Sequence, residues 1–246
     1  MHCSILQLYL LLQCLSLTAK PLKTNYPEEY TRGWVEFYYQ KFRVNEHVLI
    51  PRFETEDLVR EAIKTAKSAS FDILIDIGTG SGIIPLSILS AVNIPQVFAV
   101  DLSPEALEVA EENARNQGKY ITFMESDLLG SFLEKDIQIN GTPILIVTNL
   151  PYIRDGDWEN MSRDTEYEPE IAFFGGKETG FELYEKLFAQ IPPFLEKYTP
   201  RSLTLLAEMG DDQEAIAKKI LESYGWEFSF FTDCFGIRRF MKIQII

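Results

Sequence analysis

The chain has little with which to hold a metal or cross-link itself. Its 246 residues include three cysteines and two histidines. Cys3, Cys14 and Cys234 show no disulfide or metal spacing and are odd in number. With His2 and His47 they assemble no zinc site of familiar spacing. A zinc enzyme and a disulfide scaffold are therefore disfavoured, and a metal-free cytoplasmic protein is expected. Basic residues are scarce too: 23 Lys and Arg stand against 37 Asp and Glu, a formal net charge of −14. So acidic a body repels phosphate backbones, which makes nucleic acid an unfavourable direct substrate. The apolar N-terminal run, Ile5 to Leu17, falls short of the ~20 residues a membrane helix needs. It also makes a poor signal peptide. No Lys or Arg precedes it, and Leu17 stands where cleavage at Ala19 would want a small residue. A short helix packing on the body is expected instead. Repeats and low-complexity segments are lacking as well.

What is present suits one large domain with a small appendage: 46% of residues are hydrophobic. Residues 34–50 are aromatic and β-branched and predict a β-hairpin, with Asn45-Glu46 as its turn. The expected division is 1–50, a reduced N-terminal helix plus hairpin, and 51–246, the main domain. A helix is expected from Pro51 to about Lys67. Strands then alternate with helices. Phe71–Ile77 and Gln96–Val100 read as strands, followed by helices to about Ala91 and over Pro104–Gln117. Ser103 is the N-cap and Gly118 closes the second helix. Tyr120–Glu125 and Ile144–Val147 are further strands. The alternation predicts an α/β fold with a parallel sheet. Arg154 to Gly176 reads as loop and hairpin over the strand ends. Glu178–Phe188 is a helix, Ser202–Ala207 a strand and Asp211–Tyr224 a helix. The last two strands, over 226–232 and 237–246, form an antiparallel pair.

Asp76, Asp101 and Asp127 lie one βα unit apart, each at or just past a strand end. In a parallel sheet they share the carboxyl edge, and Asn149 completes the row. Ligands of open α/β sheets bind at that edge. The loop Gly78-Thr79-Gly80-Ser81-Gly82 lies beside them. Ile83 stands where a dinucleotide fingerprint needs its third glycine, and no Gly-Lys-Ser/Thr follows, so neither phosphate-binding motif fits. An acid at the second strand end suits two ribose hydroxyls, and Asp127 suits an exocyclic amine. A cationic nucleoside without phosphates is implied, and S-adenosylmethionine meets both conditions.

The block Asp76 to Gly82, with Asp101 and Asp127, resembles the class I S-adenosylmethionine-dependent methyltransferases. Asn149-Leu150-Pro151-Tyr152 is similar to the Asn-Pro-Pro-Tyr motif of the branch acting on amino groups. Val48 to Glu56, Glu168 to Gly176, and Ala207-Glu208-Met209-Gly210 with Gln213 resemble the HemK/PrmC protein-(glutamine-N(5)) methyltransferases, which methylate peptide release factors. The resemblance implies a Rossmann-like fold with a seven-stranded, mostly parallel sheet. It implies S-adenosylmethionine held by Asp76, Gly78, Thr79, Gly80, Ser81, Gly82, Asp101, Leu102, Asp127, Leu128 and Asn149. Substrate binding and catalysis fall to Asn149, Leu150, Pro151 and Tyr152, with Arg52 touching substrate or bracing the Asn149 loop. Phe53, Tyr167, Phe173 and Phe174 are candidates for pocket wall or core, and Glu208 for a structural N-cap.

Two departures matter. The family carries a helical N-terminal domain, whereas 33 residues precede Trp34 here, so that domain is expected to be missing or reduced to one helix. Leu150 replaces the first proline, and Asn-Leu-Pro-Tyr also occurs in ribosomal RNA adenine dimethyltransferases. An adenine amino-group methyltransferase acting on RNA or DNA is thus the alternative, and an inactive cofactor-binding scaffold a second.

Overall fold

The computed structural model describes residues 26–160 and 163–246, so the helix expected over 5–17 lies outside the described residues. The short helix α1 (Glu28–Arg32) leads into a hairpin of β1 (Trp34–Phe37) and β2 (Gln40–Arg43). Its turn is Tyr38-Tyr39, not Asn45-Glu46; both tyrosines have positive φ, 46° and 62°. That is the twist a two-residue hairpin loop needs, reached here without Gly or Asn. Asn45 instead makes a separate turn, its side chain accepting from His47 N–H at 3.0 Å.

The body alternates as expected: α2 (Thr55–Ser68), β3 (Ile73–Ile77), α3 (Ile83–Ala91), β4 (Gln96–Asp101), α4 (Pro104–Asn116), β5 (Thr122–Glu125), α5 (Gly130–Glu134) and β6 (Pro143–Thr148). Helix α2 starts four residues later than predicted, because Arg52-Phe53-Glu54 form a turn first. Ser103 caps α4, its Oγ accepting from Ala106 N–H at 3.1 Å.

The insertion contains the short strands β7 (Ile153–Arg154) and β8 (Phe174–Gly176) with 3-10 turns between them. These strands pair in parallel, so the expected hairpin is absent among the described residues; the connection is long enough to turn the chain fully around. Then come α6 (Glu182–Tyr198), β9 (Ser202–Glu208), α7 (Glu214–Tyr224), β10 (Glu227–Thr232) and β11 (Arg238–Gln244). Helix α6 starts later and ends ten residues beyond the predicted Phe188, passing through Pro192-Pro193.

The main sheet runs β10-β11-β9-β6-β3-β4-β5, with only β11 antiparallel to its neighbours. Alternate strand residues feed two cores. Ile73, Ile75 and Ile77 of β3 meet Phe132, Tyr184, Phe188 and Phe194 from α5 and α6. Leu74 of β3 and Leu206 of β9 meet Leu58 and Ala62 of α2, Leu86 of α3 and Phe42 of the hairpin. The hairpin therefore buries its apolar side in the same layer as α2 to α4. Strand order reverses between β3 and β6, which puts a switch-point crevice above their carboxyl ends.

Candidate active site

That crevice is a pocket lined by the Gly-rich loop, Asp101 to Ser103, Ser126 to Leu128, Asn149 to Pro151, and His47 to Pro51 ahead of α2. Pro169, Ile171 and Ala172 from the insertion close one side. The loop after β3 turns back on β4: Gly78 and Thr79 N–H both donate to Val100 O, at 2.8 and 3.0 Å. Gly82 has φ 78°, and a Cβ there would meet Ala110 of α4 at 3.2 Å. This position thus needs a glycine for its backbone and for close helix packing.

Asp101 lies at the rim of the loop. Its two carboxylate oxygens accept from Gly80 N–H at 2.8 Å and Ser103 N–H at 3.0 Å. Each oxygen keeps a lone pair for a further donor. Burial raises its pKa against those hydrogen bonds. Asp76 is fully buried, and neither its carboxylate oxygens nor Thr79 Oγ1 makes a hydrogen bond of close geometry, although the Thr79 hydroxyl is near enough to oppose the effect of burial on the carboxyl. Burial pushes the Asp76 carboxyl up to about 7. Asp127 reaches the pocket edge, but its exposed carboxylate is ion-paired with Lys186 of α6. Leu102 is half exposed, while Leu128 is buried with φ 55°, a strained backbone for a branched side chain at a pocket wall.

Asn149 follows β6. Its Nδ2 donates to Thr55 Oγ1 at 3.1 Å, and Thr55 Oγ1 donates to Glu208 Oε2 at 2.8 Å. Tyr152 O–H donates to the other Glu208 oxygen at 3.3 Å, and burial pushes that phenol far above its ordinary range, so it keeps its proton. Leu150 N–H donates to Tyr184 Oη at 3.1 Å, and Tyr184 in turn donates to the Glu208 carbonyl. Asn149 Oδ1 and the Leu150 carbonyl accept no hydrogen bond among the described residues. Asn149, Leu150 and Pro151 line the pocket, whereas Tyr152, expected to bind substrate, is not among its lining residues.

Arg52 Nη2 donates to Glu168 Oε1 at 2.6 Å, and Ile50 N–H donates to Glu168 Oε2 at 2.8 Å. The Ile-Pro-Arg and Glu-Pro blocks, 116 residues apart in sequence, are thus one contact. Gln213 Nε2 donates to the Tyr152 carbonyl at 2.8 Å, which ties the late Glu-Met-Gly block to the same motif. The aromatics divide: Phe53 is exposed against Phe235, Tyr167 packs on Tyr26, and Phe173 is buried. None of these, nor Phe174, lines the pocket. Glu208 is not an N-cap. Its carboxylate points inward, on the side of the sheet that Leu206 faces two residues earlier. Thr55 and Tyr184 were not picked out from sequence; only their distant positions in other elements bring them here.

A methyltransferase domain family matches residues 74–164. The release factor glutamine methyltransferase of Lactococcus lactis subsp. lactis is 39% identical over 235 residues, spanning 95% of this chain and 83% of that protein. The enzyme of the same name from Bacillus anthracis is 34% identical over 197 residues, 78% of this chain and 68% of that one. This chain belongs to the release factor glutamine methyltransferase family. Solved structures agree on the fold. The ribosomal protein L11 methylase of Lactobacillus delbrueckii subsp. bulgaricus superposes with a TM-score of 0.55 at 19% identity, covering 82% of this chain and 83% of that one. Human methyltransferase 10 domain containing protein gives 0.58 at 15% identity, covering 85% and 90%.

The cofactor of this methyltransferase is S-adenosylmethionine. The pocket fits such a cation. Asp101 in its lining has acceptor capacity left, the loop glycines let a ligand approach backbone closely, and the buried Asp76, not itself a lining residue, directly precedes Ile77 and Gly78, which are. Among the described residues no group of His, Cys, Asp and Glu is placed to hold a metal. No helix there is long and apolar enough to cross a membrane.

Proposed function

We propose that this protein methylates the side-chain amide nitrogen of a glutamine in a peptide chain release factor, with Asn149, Leu150, Pro151 and Tyr152 as its acceptor site. One observation carries the reading: two unpaired acceptors, Asn149 Oδ1 and the Leu150 carbonyl, belong to adjacent residues at the pocket wall. A primary amide has two N–H groups to give them. Bound S-adenosylmethionine supplies an electrophilic methyl group on a sulfonium.

A glutamine nitrogen is a poor nucleophile because its lone pair is conjugated into the carbonyl. Asn149 Oδ1 accepts one of its N–H groups and Leu150 O the other, turning the nitrogen toward the cofactor pocket. The same two oxygens stabilise the positive charge that develops as the N–C bond forms. Tyr152 packs against the flat amide, and Pro151 holds Leu150 extended. The surplus proton passes to water. Arg52, held by Glu168, braces the strand end beside Thr55. Asp76, Asp101 and the Gly78–Gly82 loop bind the cofactor, with Asp127, Leu102 and Leu128 at its nucleoside end.

The net charge of −14 favours a protein substrate over RNA, and the reading is of a cytoplasmic enzyme acting where translation ends. The test offers methyl-labelled S-adenosylmethionine with purified release factor beside ribosomal RNA. Label is expected in the release factor at a single glutamine. Label in RNA alone favours the adenine reading, and cofactor binding without label in either favours an inactive scaffold.

A further inference from the structure

Which end of the Asn149 amide faces the pocket decides whether it can accept a substrate N–H at all. Glu208 closes β9 and is 2% exposed, yet it meets no cation within ion-pair distance among the described residues. A buried carboxylate in that position is a poor stabilising choice. Its hydrogen bonds are all to the acceptor motif or to the residue that touches it.

Above about pH 7, where Glu208 is ionised, its carboxylate only accepts. Thr55 must therefore spend its single proton on Glu208, and its remaining capacity is as an acceptor. Only the NH2 end of Asn149 can satisfy that, and it lies 3.1 Å away. The carbonyl end, Oδ1, is left for the pocket. Were the order reversed, the Asn149 NH2 would face the substrate NH2, donor against donor. The second Glu208 oxygen fixes the Tyr152 ring, and the Glu208 carbonyl holds Tyr184, which in turn holds Leu150 N–H.

We propose that Glu208, acting through Thr55, is the positioning residue that turns Asn149 Oδ1 toward the substrate; this rests on the reading of Asn149 as the residue that binds the acceptor amide. Thr55→Val keeps shape and loses the hydroxyl, Thr55→Ser keeps the hydroxyl, and Glu208→Gln puts a donor where Thr55 or Tyr152 needs an acceptor. With full-length enzyme and release factor, Thr55→Val and Glu208→Gln should lower kcat by ~10- to 100-fold, the scale of a misplaced reacting group. The calorimetric Kd for S-adenosylmethionine should stay unchanged in Thr55→Val, and Thr55→Ser should recover most of kcat. Wild-type kcat in Thr55→Val, or equal losses in Thr55→Val and Thr55→Ser, would overturn the proposal.

A second readout needs no turnover. In asparagine-labelled protein, the Asn149 side-chain NH2 signals, assigned with Asn149→Asp, should shift and exchange faster in Thr55→Val. If they do not, the relay is wrong. If they do while wild-type enzyme labels no release factor, the relay stands and the substrate reading falls.

Discussion

Asp76 shows how much one side chain can carry. Both oxygens are buried without partners, and burial moves its carboxyl up to about 7. The Thr79 hydroxyl opposes the shift and Asp101 adds to it, and no cation of the described chain is paired with the acid. In the proposed cofactor site, only its ionised form can hold the ammonium group of S-adenosylmethionine. Below pH 7 the cofactor must first displace a proton, so its affinity should rise about tenfold per pH unit toward 7 and fall again above about 8, where the α-amino group of the free cofactor loses its proton. Calorimetry between pH 5.5 and 8.5 reads this directly. Asp76→Asn should bind more weakly with the slope gone; a flat profile in the wild type would remove Asp76 from the cofactor site. The role of Asp76 as a strand-end acid was legible in sequence from its spacing to Asp101 and Asp127. The Lys186 partner of Asp127 was not, because α6 lies far along the chain and nothing local points to it.

At the scale of elements, the parallel pair β7–β8 fastens the chain just after the acceptor motif. A Cβ at Gly175 would lie 1.9 Å from Gly180 O and 2.4 Å from Pro151 O, both backbone atoms with nowhere to move. Gly175→Ala should therefore shift Pro151, cutting methyl transfer by ~100-fold or more. The cofactor loop is on other elements, so S-adenosylmethionine affinity should change little. Unimpaired transfer would show that the β7–β8 clamp does not position the motif.

Elements were legible where local chemistry and tertiary packing agree. The run from β3 to β6 followed its alternation of apolar strands and capped helices, and Ser103 caps α4 as its sequence predicts. They were illegible where packing overrides local preference. Tyr38-Tyr39 have no turn chemistry, yet Phe37 and Phe42 are buried on either side and fix the hairpin register around them. Pro192-Pro193 should stop a helix at a cost of ~3 kcal/mol each. Both rings face solvent in α6, while Ile191, Phe194 and Tyr198 bury on the opposite face and hold the helix together. Glu208 misled for a different reason. An acid at a strand end before a helix resembles a cap, and only its period-two phase with Leu206 reveals the face it takes.

For the whole molecule, the buried acids make stability depend on pH in an unusual direction. Most carboxylates in folded proteins are held below their ordinary range. Glu61 is one, where hydrogen bonds from Lys64 and Lys242 outweigh the opposing effect of burial. Its contribution is present at neutral pH and is lost on acidification. Asp76 and Glu208 act oppositely. Burial raises them from 3.8 and 4.5 to about 7, so the folded state binds more protons than the unfolded chain between those limits. Stability from these two falls as pH rises from about 4.5 to 7 and levels above it. Self-repulsion at a net charge of −14 acts in the same direction. Urea unfolding without cofactor should give a more stable protein at pH 5.5–6 than at pH 8. Saturating S-adenosylmethionine should narrow the difference, because a cation beside Asp76 stabilises the ionised form that dominates at high pH. Asp76→Asn should flatten part of the slope and abolish the pH dependence of that cofactor effect. An equal slope in wild type and Asp76→Asn would show that Asp76 is not held protonated in the free enzyme, and the cation-seeking account of the pocket would fail with it.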